Sequence, residues 1–204
     1  MSMQNHMKKN APTFAIVGLG NPGDEYANTR HNAGFCTIQK LAELCRVSYW
    51  KTQAGSLLAE VCYNDIPLLL AMPQSYMNTS GGPTKHVLQQ FGIKPDHLIV
   101  IHDELDIPAG DVRVKFGGGH AGHNGLRSII DTLGTRDYLR VRVGIGRPPA
   151  GMPVANYVLS RPRASEFDAF NEAVCVACQA VFSLIENGIE KTQAQINGMH
   201  SAKD

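Results

Sequence analysis

Two short stretches, Phe14 to Leu19 and Leu98 to Ile101, are apolar almost throughout, and each breaks abruptly into polar residues. The first runs into Gly20-Asn21-Pro22-Gly23 and the second into His102-Asp103-Glu104. An apolar run of four to six residues bounded by turn signals reads as a buried strand. In open α/β sheets, ligand chemistry gathers at the carboxyl ends of such strands. The two polar breaks are therefore where a site is expected, and Asp103 is well placed for one.

Helical and strand signals alternate along the rest of the chain. Phe35, Ile38, Leu41, Ala42 and Cys45 recur at helical spacing, with Asn28 or Thr29 as the expected N-cap. Ser56 to Tyr63 and Ile66 to Met72 flank Asn64-Asp65 and predict a hairpin. A helix is expected from about Gly82 to Phe91, and another from Gly125 to Leu133, stopped by Gly134. Val112 to Phe116 and Tyr138 to Ile145 alternate as strands. The proline-rich loop Arg147 to Pro153 leads to a short strand around Tyr157 to Leu159, then a long helix from about Ser165 to Asn187, ended by Gly188. This order predicts an α/β fold, a single-domain three-layer α/β/α sandwich around a twisted mixed sheet. The domain is expected over 13–204, behind a flexible N-terminal extension at 1–12.

At 204 residues and 43% hydrophobic content, the chain can bury one good core. A net charge of +1 advertises no general binder of nucleic acid or membrane, so a polyanion must be met by a local patch. The first dozen residues hold no apolar run of signal-peptide length, and later stretches read as too polar to span a bilayer. A cytoplasmic protein without membrane association is expected. Five cysteines, an odd number without dense spacing, read as reduced thiols. Cys175 and Cys178 form a CxxC, but well inside an apolar helical run and with no second CxxC. They read as small core residues rather than a redox pair or half a zinc site.

Gly18-Leu19-Gly20-Asn21-Pro22-Gly23 matches the GxGxxG of dinucleotide sites. Its context argues against that chemistry. Asp24 and Glu25 would repel a pyrophosphate, and Pro22 lacks the amide hydrogen a phosphate needs. No acidic residue follows at the end of a second strand. The loop Gly117 to Gly125 is too glycine-rich for a helix, so His120 and His123 cannot be a helical metal pair; a loop zinc site drawing on His102 and Asp103 is the surviving metal alternative. Asn124 is a good N-cap for the helix that follows, whose free amides could serve a developing oxyanion. No GxSxG occurs and no cysteine lies in a nucleophile setting. Water is then the remaining nucleophile, and a histidine base suits it near neutral pH.

Between Val112 and Arg147, seven lysine and arginine residues stand against two aspartates. Arg113 with Lys115, and Arg140 with Arg142, are two apart, so each pair shares a face of its strand. If those strands are neighbours, they form a phosphate clamp.

Several of these segments together resemble the bacterial-type peptidyl-tRNA hydrolases: GLGNPGDEYANTRHNAGF at 18–35, YMNTSG at 76–81, HDELDIPAG at 102–110, KFGGGHAGHNGL at 115–126 and RVRVGIGRP at 140–148. The resemblance covers most of the chain and implies cleavage of the ester joining a peptide to the terminal ribose of tRNA, without cofactor or metal. It implies His31 as general base, Asp103 as its partner, and Asn21 as a holder of base and water. It places Asn78 and Asn124 against the peptide and the tRNA end, with Met77, His123 and Tyr26 lining the site. Lys115 and Arg142 match the family's clamp for a tRNA phosphate. Peptidyl-tRNA is the implied partner, with no obligate protein partner, and the enzyme is expected to act as a monomer. Ala121 stands where the family often has glycine, which would stiffen the loop slightly.

Overall fold

The computed structural model describes residues 11–199. The expected extension at 1–12 falls almost wholly outside them. A seven-stranded sheet, in the order β2-β3-β4-β1-β5-β7-β6, forms the middle layer. Its strands are β1 (Phe14–Gly18), β2 (Lys51–Gln53), β3 (Ser56–Tyr63), β4 (Ile66–Pro73), β5 (Leu98–Glu104), β6 (Val112–Phe116) and β7 (Leu139–Gly144). β1 lies parallel between β4 and β5, and β5 pairs parallel with β7. The β2–β3, β3–β4 and β6–β7 pairs are antiparallel, so the sheet is mixed as expected.

Among the described residues there are five α-helices, α1 (Ala33–Leu44), α2 (Gly81–Phe91), α3 (Asn124–Leu133), α4 (Val154–Val158) and α5 (Ala164–Thr192), and α1, α2, α3 and α5 cover the sheet. Alternation along the strands divides the core in two. Ile16, Ile99, Ile101, Val141 and Val143 face α1 and α5, whereas Ala15, Val17, Leu98 and Val100 pack with residues of α2 and α3. Central strands covered on both faces must be apolar at every position, which is why β1 and β5 read as unbroken runs. β1 connects through α1 on one face, and β4 crosses to β5 through α2 on the other. Their carboxyl ends thus meet where the winding reverses, the place such sheets keep for ligands.

Several local expectations change. The residues after Thr29 form a 3-10 turn, Arg30–Asn32, before α1 begins, so neither Asn28 nor Thr29 caps α1. The segment around Tyr157 is the short helix α4, not a strand; among the described residues no strand pairs with it. β2 escaped the sequence pattern because Lys-Thr-Gln on a half-open edge shows no apolar alternation. α5 is interrupted at Gly188, at φ 75°, where its stop is expected, but the chain then resumes helically to Thr192.

α5 also contradicts the reading that no stretch is apolar enough for a bilayer: an 18-residue stretch within Ala164–Asn197 reaches a mean hydropathy of 1.3. Half of that stretch is buried inside the protein, and Ala173, Val174, Ala177 and Val181 belong to the core. The apolarity serves packing on the sheet. Cys178 is buried, its thiol pushed up to about 12 by burial first, while Cys175 is exposed and so is not the core residue expected.

Candidate active site

A cavity of about 650 Å³ opens at the carboxyl edge of the sheet. Asn21 enters it from the end of β1, Asp103 and Glu104 from β5, and Tyr76, Met77 and Asn78 from the β4–α2 connection. The glycine-rich loop adds His120, His123 and Asn124, and Val154, Ala155, Val158 and Leu159 close the side formed by α4.

The position of His31 begins with Gly34. A Cβ there would lie 2.3 Å from the Leu19 nitrogen and 2.4 Å from the Ile101 oxygen, so only glycine lets the start of α1 press against β1 and β5 at once. That close approach carries the preceding turn to the end of β5. There His31 Nδ1 is 2.9 Å from Asp103 Oδ1, and His123 Nε2 is 3.0 Å from the same oxygen. Burial by itself would raise the Asp103 carboxyl, but the adjoining His31 and His123 outweigh it and hold the group well below the usual carboxylate range. Asp103 is thus an acceptor, and His31 Nδ1 must donate to it. The lone pair of His31 is left on Nε2. Burial opposes a charge on His31, yet the charge and hydrogen bond of Asp103 prevail, and its pKa is raised above 6.5.

His102 is excluded as the base. It is buried, its Nδ1 donates to the Asp103 carbonyl at 2.7 Å, and burial first, then His123, pushes its pKa well below 6.5.

Asn21 is held by a partner absent from the sequence-based site. Asn32 Oδ1 accepts from the Asn21 amide at 2.9 Å, and Asn32 Nδ2 donates to the Asn21 carbonyl at 2.9 Å. Asn21 Oδ1 in turn accepts from the Met77 amide at 2.8 Å. This fixes the side-chain amide so that Nδ2 is its free donor on the cavity. Tyr26 lies beside the cavity rather than in its lining, its ring edge-on to Tyr76 at 6.4 Å between centroids. Asn78 and Asn124 are exposed on the rim and, among the described residues, hydrogen-bond through their side chains to no protein group.

Two expectations about α3 are corrected. His123, not Asn124, is its cap: Nδ1 accepts from the amides of Gly125 at 3.1 Å and Leu126 at 3.3 Å. Those two amides are therefore unavailable to an oxyanion. The same bonds bear on a metal. Donor atoms of His31, Asp103 and His123 lie within 4.8 Å of one another. A cation at His123 Nε2 would need that nitrogen's lone pair and so a proton on Nδ1, facing two N–H groups. The trio fits a shared hydrogen-bonded carboxylate and does not fit a metal centre.

β6 and β7 are neighbours, with Arg113 opposite Arg142 and Lys115 opposite Arg140, so all four cations share one face. They do not share one task. Arg140 is buried, stacks over Tyr138 and donates to the carbonyls of Gly118 and Gly119, pinning the glycine-rich loop. Arg142 donates through Nε and Nη2 to Glu104 Oε2 at 3.1 and 3.0 Å. Lys115 forms no ion pair among the described residues, and burial first, then Arg142 and Arg140, lowers its pKa.

The family model described as peptidyl-tRNA hydrolase matches residues 15–204. The chain belongs to the peptidyl-tRNA hydrolase family. A peptidyl-tRNA hydrolase of Frankia alni is 47% identical over 194 residues, covering 93% of this chain and 98% of that protein. One from Kineococcus radiotolerans is 45% identical, covering 90% and 96%. The crystal structure of the Acinetobacter baumannii peptidyl-tRNA hydrolase superposes with a TM-score of 0.85 at 35% identity, over 92% of this chain and 95% of that one. The three-layer fold expected from sequence is thereby shown for this family member. Of the sites expected by resemblance, His31, Asp103, Asn21, Met77, Asn78, His123 and Asn124 converge on one cavity, with Tyr26 beside it and Lys115 and Arg142 on adjoining strands. Asn32, Glu104 and Arg30 were not singled out, because their part is to hold other residues, which no local spacing announces.

Proposed function

We propose that His31 removes a proton from water as that water attacks the ester between peptide and terminal ribose. The chain is an ester hydrolase acting on peptidyl-tRNA, the activity of the family to which it belongs. The observation that carries the mechanism is the 2.9 Å bond from His31 Nδ1 to a buried, anionic Asp103, which leaves Nε2 basic on the cavity. Asp103 holds the tautomer and favours the imidazolium that forms, as a triad carboxylate does. Asn21 Nδ2 is the preferred donor to the carbonyl oxygen as its charge develops, because Met77 has already fixed its direction.

Asn78 and Asn124 offer to the peptidyl end amides that have no partner among the described residues, and neutral amides add no charge to repel RNA. Lys115 and Arg142 take a phosphate of the tRNA, with Arg113 on the same face; Arg140, buried on loop carbonyls, is left out of the clamp. The reaction runs without metal or cofactor, which the proton on His123 Nε2 supports. We assign the enzyme to the cytoplasm, where tRNA is used in translation, acting as a monomer without an obligate protein partner.

Turnover of N-acetylaminoacyl-tRNA by His31→Ala tests the mechanism. Loss of the base is expected to cost about 10²- to 10⁴-fold in kcat with tRNA binding retained. Wild-type turnover in that variant would refute it.

A further inference from the structure

Arg30, immediately before the proposed base, is a buried cation that the mechanism leaves unused. Its backbone amide donates to the Ser160 carbonyl at 3.1 Å. Its Nη1 donates to Ser160 Oγ at 2.7 Å, to the Arg161 carbonyl at 2.9 Å and to the Ser160 carbonyl at 3.2 Å. Nη2 pairs with Glu166, and the guanidinium lies 4.3 Å from the centre of the Tyr157 ring. Each partner belongs to one segment, 157–166, which joins the end of α4 to the start of α5. Tyr157 is anchored again, its hydroxyl donating to the Ile145 carbonyl at 2.5 Å, just past β7.

α4 and the start of this segment form a cavity wall. Val154, Ala155, Val158 and Leu159 line it, and Val154 and Leu159 are 47% and 43% exposed although apolar. Leu105 and the buried Met77 line the same cavity. Exposed apolar side chains turned toward a cavity with an amide-bearing rim suit the side chain of the esterified aminoacyl residue. α4 has barely more than one turn, too short to hold its position by helix formation alone. Arg30 supplies the missing constraint, since a planar fork with several donors fixes orientation as well as distance.

We propose that Arg30 is a positioning residue that fastens the apolar wall of the cavity to the turn carrying His31, so that discrimination for apolar aminoacyl residues depends on it. The proposal deepens the reading of His31 as the base and rests on it. Cutting the fastening lets the wall withdraw and the His31 turn shift, and a displacement of about 1 Å costs on the order of 10²-fold in rate.

The test compares kcat/KM for N-acetyl-leucyl-tRNA and N-acetyl-seryl-tRNA in the full chain, in Arg30→Gln, and in Ser160→Ala at the far end of the fastening. The wild type is expected to favour the leucyl substrate. Arg30→Gln is expected to lose most of that preference together with about 10²-fold in kcat, and Ser160→Ala to lose part of the preference with kcat nearly intact. Partial unfolding scales both substrates equally and leaves their ratio alone, so a merely structural role is separable. A wild-type ratio near one, or a ratio unchanged in both variants, overturns the proposal. His31 is intact in these variants, so failure here is distinct from failure of His31→Ala to lose turnover.

Discussion

The floor of the cavity and its rim are built on opposite plans. On the floor, Asp103 Oδ1 accepts from two histidines, His123 is fixed by two amides, and Asn21 is held through its amide, its carbonyl and its side chain. On the rim, Asn78 and Asn124 bond through their side chains to no protein group among the described residues, and Val154 and Leu159 stand open. In the proposed mechanism the groups that hold an angle during proton transfer are tied through their other polar atoms, leaving only His31 Nε2 and Asn21 Nδ2 to face the cavity, whereas groups that meet the substrate keep their hydrogen-bonding capacity for it. A buried hydrogen-bonded network resists distortion, and exposed amides give up only water when ligand arrives.

This contrast breaks most severely at Asp103. Asp103→Asn removes the charge that raises the His31 pKa and offers an NH2 group that can turn toward Nδ1 and set the wrong tautomer, and a drop of about 10⁴-fold in kcat is expected. With His31 as the proposed base, activity should rise with pH through a wild-type midpoint raised from the ordinary histidine value. In Asp103→Asn burial acts without its counterweight, and that midpoint should move to lower pH; a pH–rate profile checks both the size and the sign. A midpoint that stays or rises would show that another group controls the limb.

Asn32 tests whether the floor is stiff beyond the residues that touch substrate. Asn32→Ala leaves the buried Asn21 amide without its partner, at about 1–3 kcal/mol of stability. Thermal denaturation should show that loss, and kcat should fall about 10²-fold through misplacement of Asn21. Unchanged kcat in the folded variant would remove Asn21 from the reacting geometry.

The smallest effects belong to the rim. Asn78→Ala and Asn124→Ala would each forgo one of the proposed hydrogen bonds to substrate, worth about 0.5–1.5 kcal/mol. KM for peptidyl-tRNA is expected to rise up to about tenfold with stability unchanged. A matching fall in kcat would place those amides with the floor instead.

Legibility followed the same division. The apolar runs of β1 and β5 and the polar breaks behind them announce themselves locally, because strands covered on both faces leave no room for polar residues. The choice of His31 came from family resemblance, since eight histidines of similar chemistry offer no local ranking. The structure supplies the physical ranking: His102 is sealed and neutral, His123 is spent as a helix cap and donor, and His31 has its partner on Nδ1 and a basic nitrogen on the cavity. Tyr157 and its neighbours read as a strand because a short aromatic and β-branched run carries that propensity, but among the described residues no strand pairs with it.

By itself, then, the sequence determined the layered α/β core and the strand ends that open on the cavity, and through the family resemblance it named the residues proposed for the site. Those features depend on apolar periodicity and on motifs contiguous in the chain. Tertiary structure alone decided which residues share a partner: His31 and His123 on one oxygen of Asp103, Asn32 around Asn21, Arg140 on the loop, and Arg30 on a segment about 130 positions away. Hydrogen bonds act over about 3 Å of space without regard to separation along the chain, so no local pattern encodes them.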